Sequence, residues 1–527
     1  MIRAVKKPMD NKVVEVDGES LTIEDVVSVA RGNAMVSIAE AAKKRVTRSR
    51  EALQKMVKDG KVIYGVNTGF GALANTRIPA EEIRRLQVNL IRSHSAGVGE
   101  PLPTEVVRAA MLLRVNTLAK GCSGTRLKIL QTLVEMLNKR VHPVVPEKGS
   151  VGASGDLAPL SHLTLVLIGE GEAEYQGRIL PGRQAMEAAG IPTVTLEAKE
   201  GIALNNGTQI MTAVAALTVY DAEKLVQTAE IAAALTLEAL LGVVDAFDEK
   251  IHKARPHPGQ IATARNIRSL ISGSKLVRSG VEALKELGYP QDPYSLRCIP
   301  QVLGAVRDAV AYARRVVETE INSATDNPLV FADEGVCLSG GNFHGQPIAI
   351  AMDTLATALT VTGNFSERRT ARLIDEKLNR GLPTFLVPPK AKKGLNSGFM
   401  TLQYTAAALA SENKVLAHPA CADSIPTSAN FEDFVSMGTN AATKAMQTLE
   451  NTQHIIAIEL LCAAQAVEYR GQENLGKGTK RAYQAVRATV SRLGEDRQLS
   501  MDISTVVDEL VRNGKLVETV KKEVPLV

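Results

Sequence analysis

Ser154 lies in a segment whose residues could build an electrophile. Residues 149–160 read GSVGASGDLAPL, with glycine at 149, 152 and 155. Because glycine adopts backbone conformations that other residues avoid, this segment can form a tight bend. In such a bend the Gly155 amide nitrogen can attack the carbonyl carbon of Ala153. Loss of two waters then leaves a methylidene-imidazolone ring with an electrophilic exocyclic carbon.

A second glycine-rich segment, residues 64–74, reads YGVNTGFGALA. Its glycines indicate a loop with special backbone requirements. Glycine-rich loops can cradle phosphate groups, but the GxxxxGK[ST] and GxGxxG spacings are absent from this one. We therefore do not expect a nucleotide site here.

Motifs spread along the chain resemble those of the histidine, phenylalanine and tyrosine ammonia-lyases. GSVGASGDLAPLSH resembles the segment from which this family builds its methylidene-imidazolone group (MIO). The other motifs follow the family order between about residues 10 and 510: YGVNTGFG at 64–71, NLIRSHSAGVG at 89–99, LNNGTQ at 204–209, QDPYSLRCIPQV at 291–302, SATDNPL at 323–329, GGNFHGQP at 340–347 and NSGFM at 396–400. Each motif alone is weak, but together they make the resemblance specific. It implies an ammonia-lyase that makes MIO from Ala153, Ser154 and Gly155 and needs no external cofactor.

The resemblance implies catalytic roles for three further residues. Elimination of ammonia removes a weakly acidic β-proton, and a positioned base contributes roughly 10²–10⁴-fold to such a step. The resemblance implies that Tyr64 is this base, on a lid-like loop, and that Asn206 hydrogen-bonds the ring oxygen. Tyr294 is expected near the amine or the ring. Because a phenol has a pKa of about 10, we expect the pKa of Tyr64 to be lowered in the working site.

Other residues are expected to bind the substrate. Arg297 would hold the substrate carboxylate, since a guanidinium matches a carboxylate bidentately. Gln291 would help to hold the lid. The resemblance places Asn327, Phe343 and Met400 in the same pocket.

Two positions favour histidine as the substrate. His94 follows Ser93 where the family carries its selectivity pair. Glu432 stands where histidine lyases typically carry glutamate, and where phenylalanine and tyrosine lyases and the aminomutases typically carry glutamine. A carboxylate can pair with an imidazole N–H, but beside a benzene ring it would be an unpaired charge. We therefore predict conversion of L-histidine to trans-urocanate and ammonia.

Three positions depart from the histidine lyases. Phe431 and Phe434 stand where those enzymes usually carry polar residues, and Gln346 stands where many carry glutamate. A more apolar pocket could favour a different or larger side chain, and a tyrosine aminomutase shares the RSHSAGVG motif. A tyrosine or phenylalanine ammonia-lyase and a 2,3-aminomutase therefore stay as alternatives.

Hydrophobic periodicity predicts a mainly helical chain. Long helices are predicted over residues 210–241, 301–321, 344–373, 399–416 and 434–469, with shorter ones opening at Thr22 and Pro103, and strand signals are confined to residues 13–16, 173–180 and 329–331. The resemblance implies a long central helical bundle of the fumarase/aspartase-like lyase type. We expect a smaller N-terminal part, residues 1–205, to carry the lid and MIO loops, and residues 206–527 to form the bundle.

Composition and spacing argue against several classes. The chain has 62 basic and 57 acidic residues, and its basic clusters at 390–393 and 521–522 are too short to predict a nucleic-acid surface. The eight histidines show no metal-ligand spacing, so we expect no metal. Five scattered cysteines argue against a disulfide framework. No apolar stretch follows residues 1–7, and acidic residues interrupt 229–247, so we expect neither a signal peptide nor a membrane helix, and a cytoplasmic location.

The assembly and two rival classes complete the sequence-based predictions. The resemblance implies a homotetramer whose active sites are each shared among three chains. The fumarase/aspartase signature GSSxMPxKxNP is absent. A catalytically silent helical scaffold is the alternative of another class, and the intact Ala153-Ser154-Gly155, Tyr64 and Arg297 oppose it.

Overall fold

A computed structural model of the chain describes residues 12–391 and 394–527. The remaining residues include the N-terminal segment 1–7 and part of the basic stretch 390–393, so these two predictions lie outside the described residues. Within the described ranges the chain forms twenty α-helices and nine short strands. The predicted mainly helical class is confirmed.

The secondary structure is dominated by four helices of more than twenty residues, α9, α14, α15 and α17. The helices are α1 Ile23–Ala30, α2 Glu40–Lys58, α3 Ile83–His94, α4 Thr104–Ala119, α5 Leu127–Asn138, α6 Leu157–Leu167, α7 Gly182–Ala188, α8 Glu200–Asn205, α9 Gln209–Ala239, α10 Glu249–Ala254, α11 Pro258–Leu270, α12 Gly280–Leu287, α13 Tyr294–Arg297, α14 Ile299–Glu320, α15 Gln346–Ile374, α16 Met400–Leu416, α17 Gly438–Glu468, α18 Lys477–Thr489, α19 Leu499–Val506 and α20 Lys515–Lys521. The strands are β1 Val13–Val16, β2 Met35–Ile38, β3 Val98–Pro101, β4 His142–Pro143, β5 Pro146–Lys148, β6 Glu172–Tyr175, β7 Arg178–Pro181, β8 Leu329–Phe331 and β9 Val336–Leu338.

Local backbone geometry explains where the long helices differ from the sequence prediction. The helix predicted to reach residue 241 ends at Ala239, and Leu241 has a positive φ of 52°. The helix predicted to open at residue 434 begins at Gly438, directly after Met437 with φ 55°. A residue in the left-handed region cannot continue a right-handed helix. Each boundary therefore follows a backbone conformation that hydrophobic periodicity does not report.

The single strand predicted over residues 173–180 is wrong, because this stretch is a β-hairpin. β6 pairs with β7 in antiparallel register, with Tyr175 opposite Arg178. The two turn residues, Gln176 and Gly177, have φ values of 51° and 77°. Two consecutive positive φ angles match the twist of the flanking strands, so the chain reverses there.

Packing divides the chain into two compact units. The first comprises Met1–Tyr220, Arg314–Asp353 and Pro419–Thr443, and the second comprises Asp221–Ala313, Thr354–His418 and Lys444–Val527. Within the described residues all nine strands belong to the first unit, as a parallel pair β1-β2, an antiparallel pair β3-β5, the sheet β4-β6-β7 and the hairpin β8-β9. The predicted sequence boundary at residues 205 and 206 stays a prediction.

The core of the second unit includes a buried, largely apolar segment of α17. Residues 455–467 are all buried, as the near-continuous apolar sequence predicts. Glu459 is the one charged residue of this segment. Its carboxylate accepts two hydrogen bonds from the Arg369 guanidinium at 2.5 and 2.7 Å. Thr236 and Ser366 donate to the same carboxylate. Because every charged atom of the carboxylate is engaged, the charge can stay inside the core.

One described helix, α15, is long and apolar enough to cross a membrane by length and composition alone. In the structure 67% of its most apolar window is buried inside the protein. The core helix of a globular protein has the same features.

Glu238 carries an unusual carboxyl group near the end of α9. It accepts a hydrogen bond from the Gly476 N–H at 2.7 Å and lies beside the hydroxyls of Ser274 and Thr479. Burial nevertheless raises the pKa of Glu238 to about 7. In the unfolded chain a glutamate has a pKa of about 4.3. The folded protein therefore binds this proton more tightly, and its free energy of unfolding falls as the pH rises from about 4 to about 7.

Replacing Glu238 with glutamine should remove this pH dependence. Glu238→Gln keeps an acceptor for Gly476 but cannot ionise, so its free energy of unfolding relative to the wild type should rise by about 3 kcal/mol between pH 4 and pH 8. Denaturant unfolding at several pH values measures the difference. Exposed Glu412→Gln is the matched control and should show no such trend. A difference between Glu238→Gln and wild type that stays constant over this range would contradict the prediction.

Candidate active site

A cavity of about 1040 Å³ lies in the first unit and collects most of the predicted site residues. Its walls come from α3, from α8 with the residue that follows it, and from segments around residues 64–78, 153–157, 327–344 and 428–435. Eight predicted residues line it: Tyr64, His94, Ala153, Ser154, Asn206, Asn327, Phe343 and Glu432. Motifs from six separate parts of the sequence thus meet at one place.

The backbone around Ser154 forms the tight bend that its glycines predict. Gly152, Ser154 and Gly155 have φ values of 80°, 51° and 79°, and the Gly155 N–H donates to Gly152 O at 3.2 Å. A positive φ is rare for a residue with a side chain, so Ser154 is held in a conformation that its neighbours must impose. Gly155 cannot be replaced without movement, because a Cβ atom there would lie 2.1 Å from Gly207 O.

The Ser154 carbonyl oxygen accepts two hydrogen bonds from the segment after α8. The Asn206 side-chain amide donates at 2.9 Å and the Gly207 N–H donates at 3.2 Å. Two donors aimed at one carbonyl form the kind of arrangement that stabilises negative charge on oxygen. In an MIO ring the same oxygen would be the ring carbonyl. The donors, the bend and the glycine at 155 therefore fit an MIO group at this position.

Asp156 ties the bend to the N-terminal ends of two long helices. Its carboxylate is fully buried and accepts the N–H groups of Ile210 and Met211, both at 2.9 Å, in the first turn of α9. The hydroxyls of Ser150 and Thr439 donate to its other oxygen, and Thr439 lies in the first turn of α17. Burial raises the pKa of Asp156 and these hydrogen bonds oppose the rise. Helix N-termini stabilise a negative charge, so the bend is anchored by electrostatics as well as by packing.

Tyr64 stands on the glycine-rich loop with its phenol in the cavity. The Gly71 N–H donates to its hydroxyl oxygen at 3.0 Å, and the Phe70 ring packs edge-on at 6.5 Å between centroids. Within one chain burial raises the pKa of Tyr64, Glu432 raises it further, and the Gly71 hydrogen bond acts against both. The direction is opposite to the lowered pKa expected of a base, and no lysine or arginine is among the described residues that line the cavity around the phenol.

His94 and Glu432 supply titratable groups to the wall of the same cavity. Glu432 Oε1 accepts a hydrogen bond from Ser154 Oγ at 2.7 Å, and its Oε2 accepts one from Thr427 at 2.9 Å. The His94 Nδ1 atom lies 3.0 Å from Ser93 Oγ. Burial lowers the pKa of His94, while Leu90 O and the Glu432 charge oppose the fall. A neutral imidazole and a carboxylate therefore face one space.

Five predicted residues do not line this cavity: Gly155, which belongs to the bend beside Ser154, and four others. Gln291, Tyr294, Arg297 and Met400 all belong to the second unit. The first three form a group of their own: Arg297 donates to Gln291 Oε1 at 2.5 Å, and its guanidinium carbon lies 4.8 Å from the Tyr294 ring centroid. Tyr294 is 70% exposed.

Gln346, one of the three departures from the histidine lyases, also lies away from the cavity lining. Its amide donates to Cys421 O at 3.4 Å. Phe431 and Phe434, by contrast, both line the cavity and are both exposed. The rings of Phe431 and Phe434 therefore contribute to the cavity lining, whereas the Gln346 side chain does not.

Two polar residues, His344 and Asn205, are among the cavity-lining residues that sequence reasoning left out. The His344 imidazole stacks on the Phe434 ring at 6.0 Å between centroids, and its Nε2 lies 3.2 Å from Phe434 O. Asn205 donates from its side chain to Ser161, and its Oδ1 atom is buried without a hydrogen-bond partner among the described residues. His344 lies in the motif GGNFHGQP and Asn205 in the motif LNNGTQ. Their place in these two motifs could have identified them as site residues.

Comparison with known proteins shows which family this chain resembles. The family described as aromatic amino acid lyase matches residues 21–488. A histidine ammonia-lyase of Caldanaerobacter subterraneus subsp. tengcongensis is 56% identical over 97% of this chain and 99% of its own length. Two solved structures share the fold: a tyrosine aminomutase from Streptomyces globisporus (TM-score 0.93, 42% identity, 98% of this chain and 100% of that one) and a histidine ammonia-lyase from Trypanosoma cruzi (TM-score 0.89, 42% identity, 97% and 96%). The helical lyase fold is thereby confirmed.

The contact between Gly155 and Gly207 predicts a position-specific effect of alanine. Gly155→Ala and Gly177→Ala both place a side chain at a φ near 80°, but only the first meets backbone atoms, since nothing lies within 4 Å of a Cβ at Gly177. We expect Gly177→Ala to cost about 1 kcal/mol and Gly155→Ala a further 1–3 kcal/mol, roughly, from the clash. Thermal and denaturant unfolding compare the two. Equal losses in the free energy of unfolding would contradict the prediction, because they would show that residues 206 and 207 move aside at no cost.

Proposed function

This chain belongs to the aromatic amino acid lyase family, and we propose that it removes ammonia from L-histidine to give trans-urocanate. Its similarity to histidine ammonia-lyases over nearly its whole length makes it a carbon–nitrogen lyase. The observation that carries the choice of histidine is that His94 and Glu432 line the same cavity, with Glu432 Oε1 2.7 Å from Ser154 Oγ. A substrate imidazole N–H can pair with that carboxylate, whereas a benzene ring would leave it without a partner from the substrate.

The proposed prosthetic group is MIO, formed from Ala153, Ser154 and Gly155. It would supply an electrophilic carbon that bonds the substrate amine and turns it into a better leaving group. The Asn206 side chain and the Gly207 N–H would hold its oxygen, and Asp156 would keep the loop fixed to α9 and α17. The backbone bend that the chain adopts before any reaction supports this assignment.

Tyr64 is proposed as the base that takes the β-proton. Its phenol lines the cavity that holds Ser154, and the Gly71 N–H stabilises its deprotonated form. Burial and the Glu432 charge raise the pKa of Tyr64. A nearby cation would lower this pKa and so favour the deprotonated phenol that acts as a base. The Arg297 guanidinium is the proposed cation.

A homotetramer with shared sites would provide that cation. Within the described lining of the cavity there is no lysine or arginine to neutralise a substrate carboxylate. Arg297 is grouped with Gln291 and Tyr294 in the second unit, and its Nε atom is buried without a hydrogen-bond partner in the described chain. We propose that another copy of the chain brings these three residues to the cavity, with Met400 on the same side.

The proposed location is the cytoplasm. All five cysteines are free in the structure, which suits a reducing compartment. The proposed substrate is a small amino acid, and neither a nucleic acid nor a membrane is needed for the proposed reaction.

Phe431 and Phe434 favour a second candidate. These rings line the cavity, and Phe434 stacks on His344. Aromatic rings on the wall would suit a tyrosine or phenylalanine side chain, as lyase or as 2,3-aminomutase. Glu432 opposes this alternative, since its charge would then lack a partner from the substrate.

A substrate comparison tests the proposal. With L-histidine we expect the absorbance of urocanate, and with L-tyrosine and L-phenylalanine little or no cinnamate-type product. Glu432→Gln should lower kcat/KM for histidine about 10–100-fold, the effect of a lost hydrogen bond to a charged group. Asp423→Asn removes a charge from an exposed residue of the same loop and should leave kcat/KM unchanged. Turnover of tyrosine but not histidine, or a β-amino acid product, would contradict the histidine assignment.

Mixed oligomers test the shared site. Ser154→Ala and Arg297→Ala should each be inactive alone, and intact mass should show that Ser154→Ala keeps the two waters that the wild type loses. Co-expression of the two variants should restore activity, because some sites then combine an intact Ser154 with an Arg297 from another copy. Ser154→Ala with Asn206→Ala is the matched control and should stay inactive, since these residues come from one chain. If Ser154→Ala with Arg297→Ala also stays inactive in mixed oligomers, each site draws Arg297 from its own chain.

A further inference from the structure

Arg114 is a fully buried cation directly behind the proposed MIO loop. It lies on α4 with 0% of its surface exposed. Its Nη1 atom donates to Ala203 O at 3.0 Å and to Asn206 O at 2.9 Å. Its Nε and Nη2 atoms have no hydrogen-bond partner among the described residues. A guanidinium with unused donors inside a protein is costly, so its position calls for a reason beyond packing.

The Arg114 guanidinium donates to the same peptide unit that hydrogen-bonds the Ser154 carbonyl oxygen. The carbonyl of the Asn206–Gly207 peptide accepts from Arg114, and the N–H of the same peptide donates to Ser154 O at 3.2 Å. A Cβ atom at Gly207 would lie 3.1 Å from Arg114 Nη2, so the guanidinium rests against this peptide. The three groups form one chain of hydrogen bonds: guanidinium, peptide and Ser154 carbonyl.

The positive charge of Arg114 is not cancelled by a contacting carboxylate. Burial lowers the pKa of Arg114 to about 10, so the group stays cationic at neutral pH. The two buried carboxylates that act on its charge are engaged elsewhere. Asp326 accepts from Lys199 Nζ at 2.6 Å, and Asp156 accepts from two helix N–H groups and two hydroxyls. Its field therefore reaches the Asn206–Gly207 peptide from a site with low dielectric screening.

We propose that Arg114 is a positioning residue that polarises the Asn206–Gly207 peptide and thereby strengthens its grip on the Ser154 carbonyl oxygen. Hydrogen bonds in a chain polarise one another, and a fixed charge at one end strengthens the donor at the other. In the mature protein the effect would be a more electrophilic ring. This inference rests on the proposed function, because it assumes that the MIO ring forms.

The test measures electrophilicity without substrate. Borohydride, a small hydride donor, should add a hydride to the exocyclic carbon, with a proton from water completing the reduction, so the intact mass rises by two hydrogens. The rate is measured per matured chain, with maturation read from the loss of two waters. Removing one direct oxyanion donor lowers kcat roughly 10²–10³-fold, so for a residue acting through a peptide we expect about tenfold slower trapping in Arg114→Gln. Arg114→Lys, which keeps a cation, should fall between Arg114→Gln and wild type.

Arg108 provides a matched control on the same helix. It is 2% exposed, burial lowers its pKa to about 10, and it donates to Val29 O and Leu137 O, away from Ser154. Arg108→Gln should therefore be trapped at the wild-type rate. If Arg114→Gln does not fold, Arg114→Lys decides the question. Wild-type trapping in a folded, matured Arg114 variant would overturn the proposal, whereas a wild-type chain that never loses two waters would instead overturn the proposed prosthetic group.

Discussion

The close approach of residues 206 and 207 to the backbone of Ser154 and Gly155 is the contact on which the site depends. Asn206 and Gly207 donate to the Ser154 carbonyl, and Asp156 N–H donates back to Gly207 O at 2.7 Å. Two loops distant in sequence therefore hold each other through main-chain groups. Only glycine fits at 155, and Ser154 is kept in a left-handed conformation. Backbone geometry, more than any side chain, sets the chemistry that this segment can undergo.

The cavity of one chain supplies several polar groups but no positively charged side chain, arginine or lysine, among its described lining residues. It combines a tight backbone bend, a phenol, an imidazole and a carboxylate. Burial without a nearby cation explains why the pKa of Tyr64 rises. An amino acid substrate carries a carboxylate, and the proposed contribution of Arg297 from another copy of the chain would supply the cation that pairs with it.

Sequence reasoning reached the helical class and part of the cavity lining, because both leave local signatures. The α-helical period located the long helices to within a few residues, and the motifs singled out eight cavity residues. Features that depend on tertiary contacts were missed. Arg114 lies in an ordinary apolar helix, and nothing local shows that its guanidinium meets Asn206 O. The positive φ angles of Leu241 and Met437 were equally invisible, since both are residues that helices favour.

The conformation of the segment before Glu432 is set by its own main chain. Ser428, Ala429 and Asn430 all have positive φ angles, and Thr427 pairs with Glu432 through main-chain hydrogen bonds of 2.9 and 3.2 Å. The hairpin is therefore closed by backbone groups, while the exposed rings of Phe431 and Phe434 project from it without closing it. Exchange of either ring would therefore change the cavity lining while the main-chain pairing of Thr427 with Glu432 stays in place.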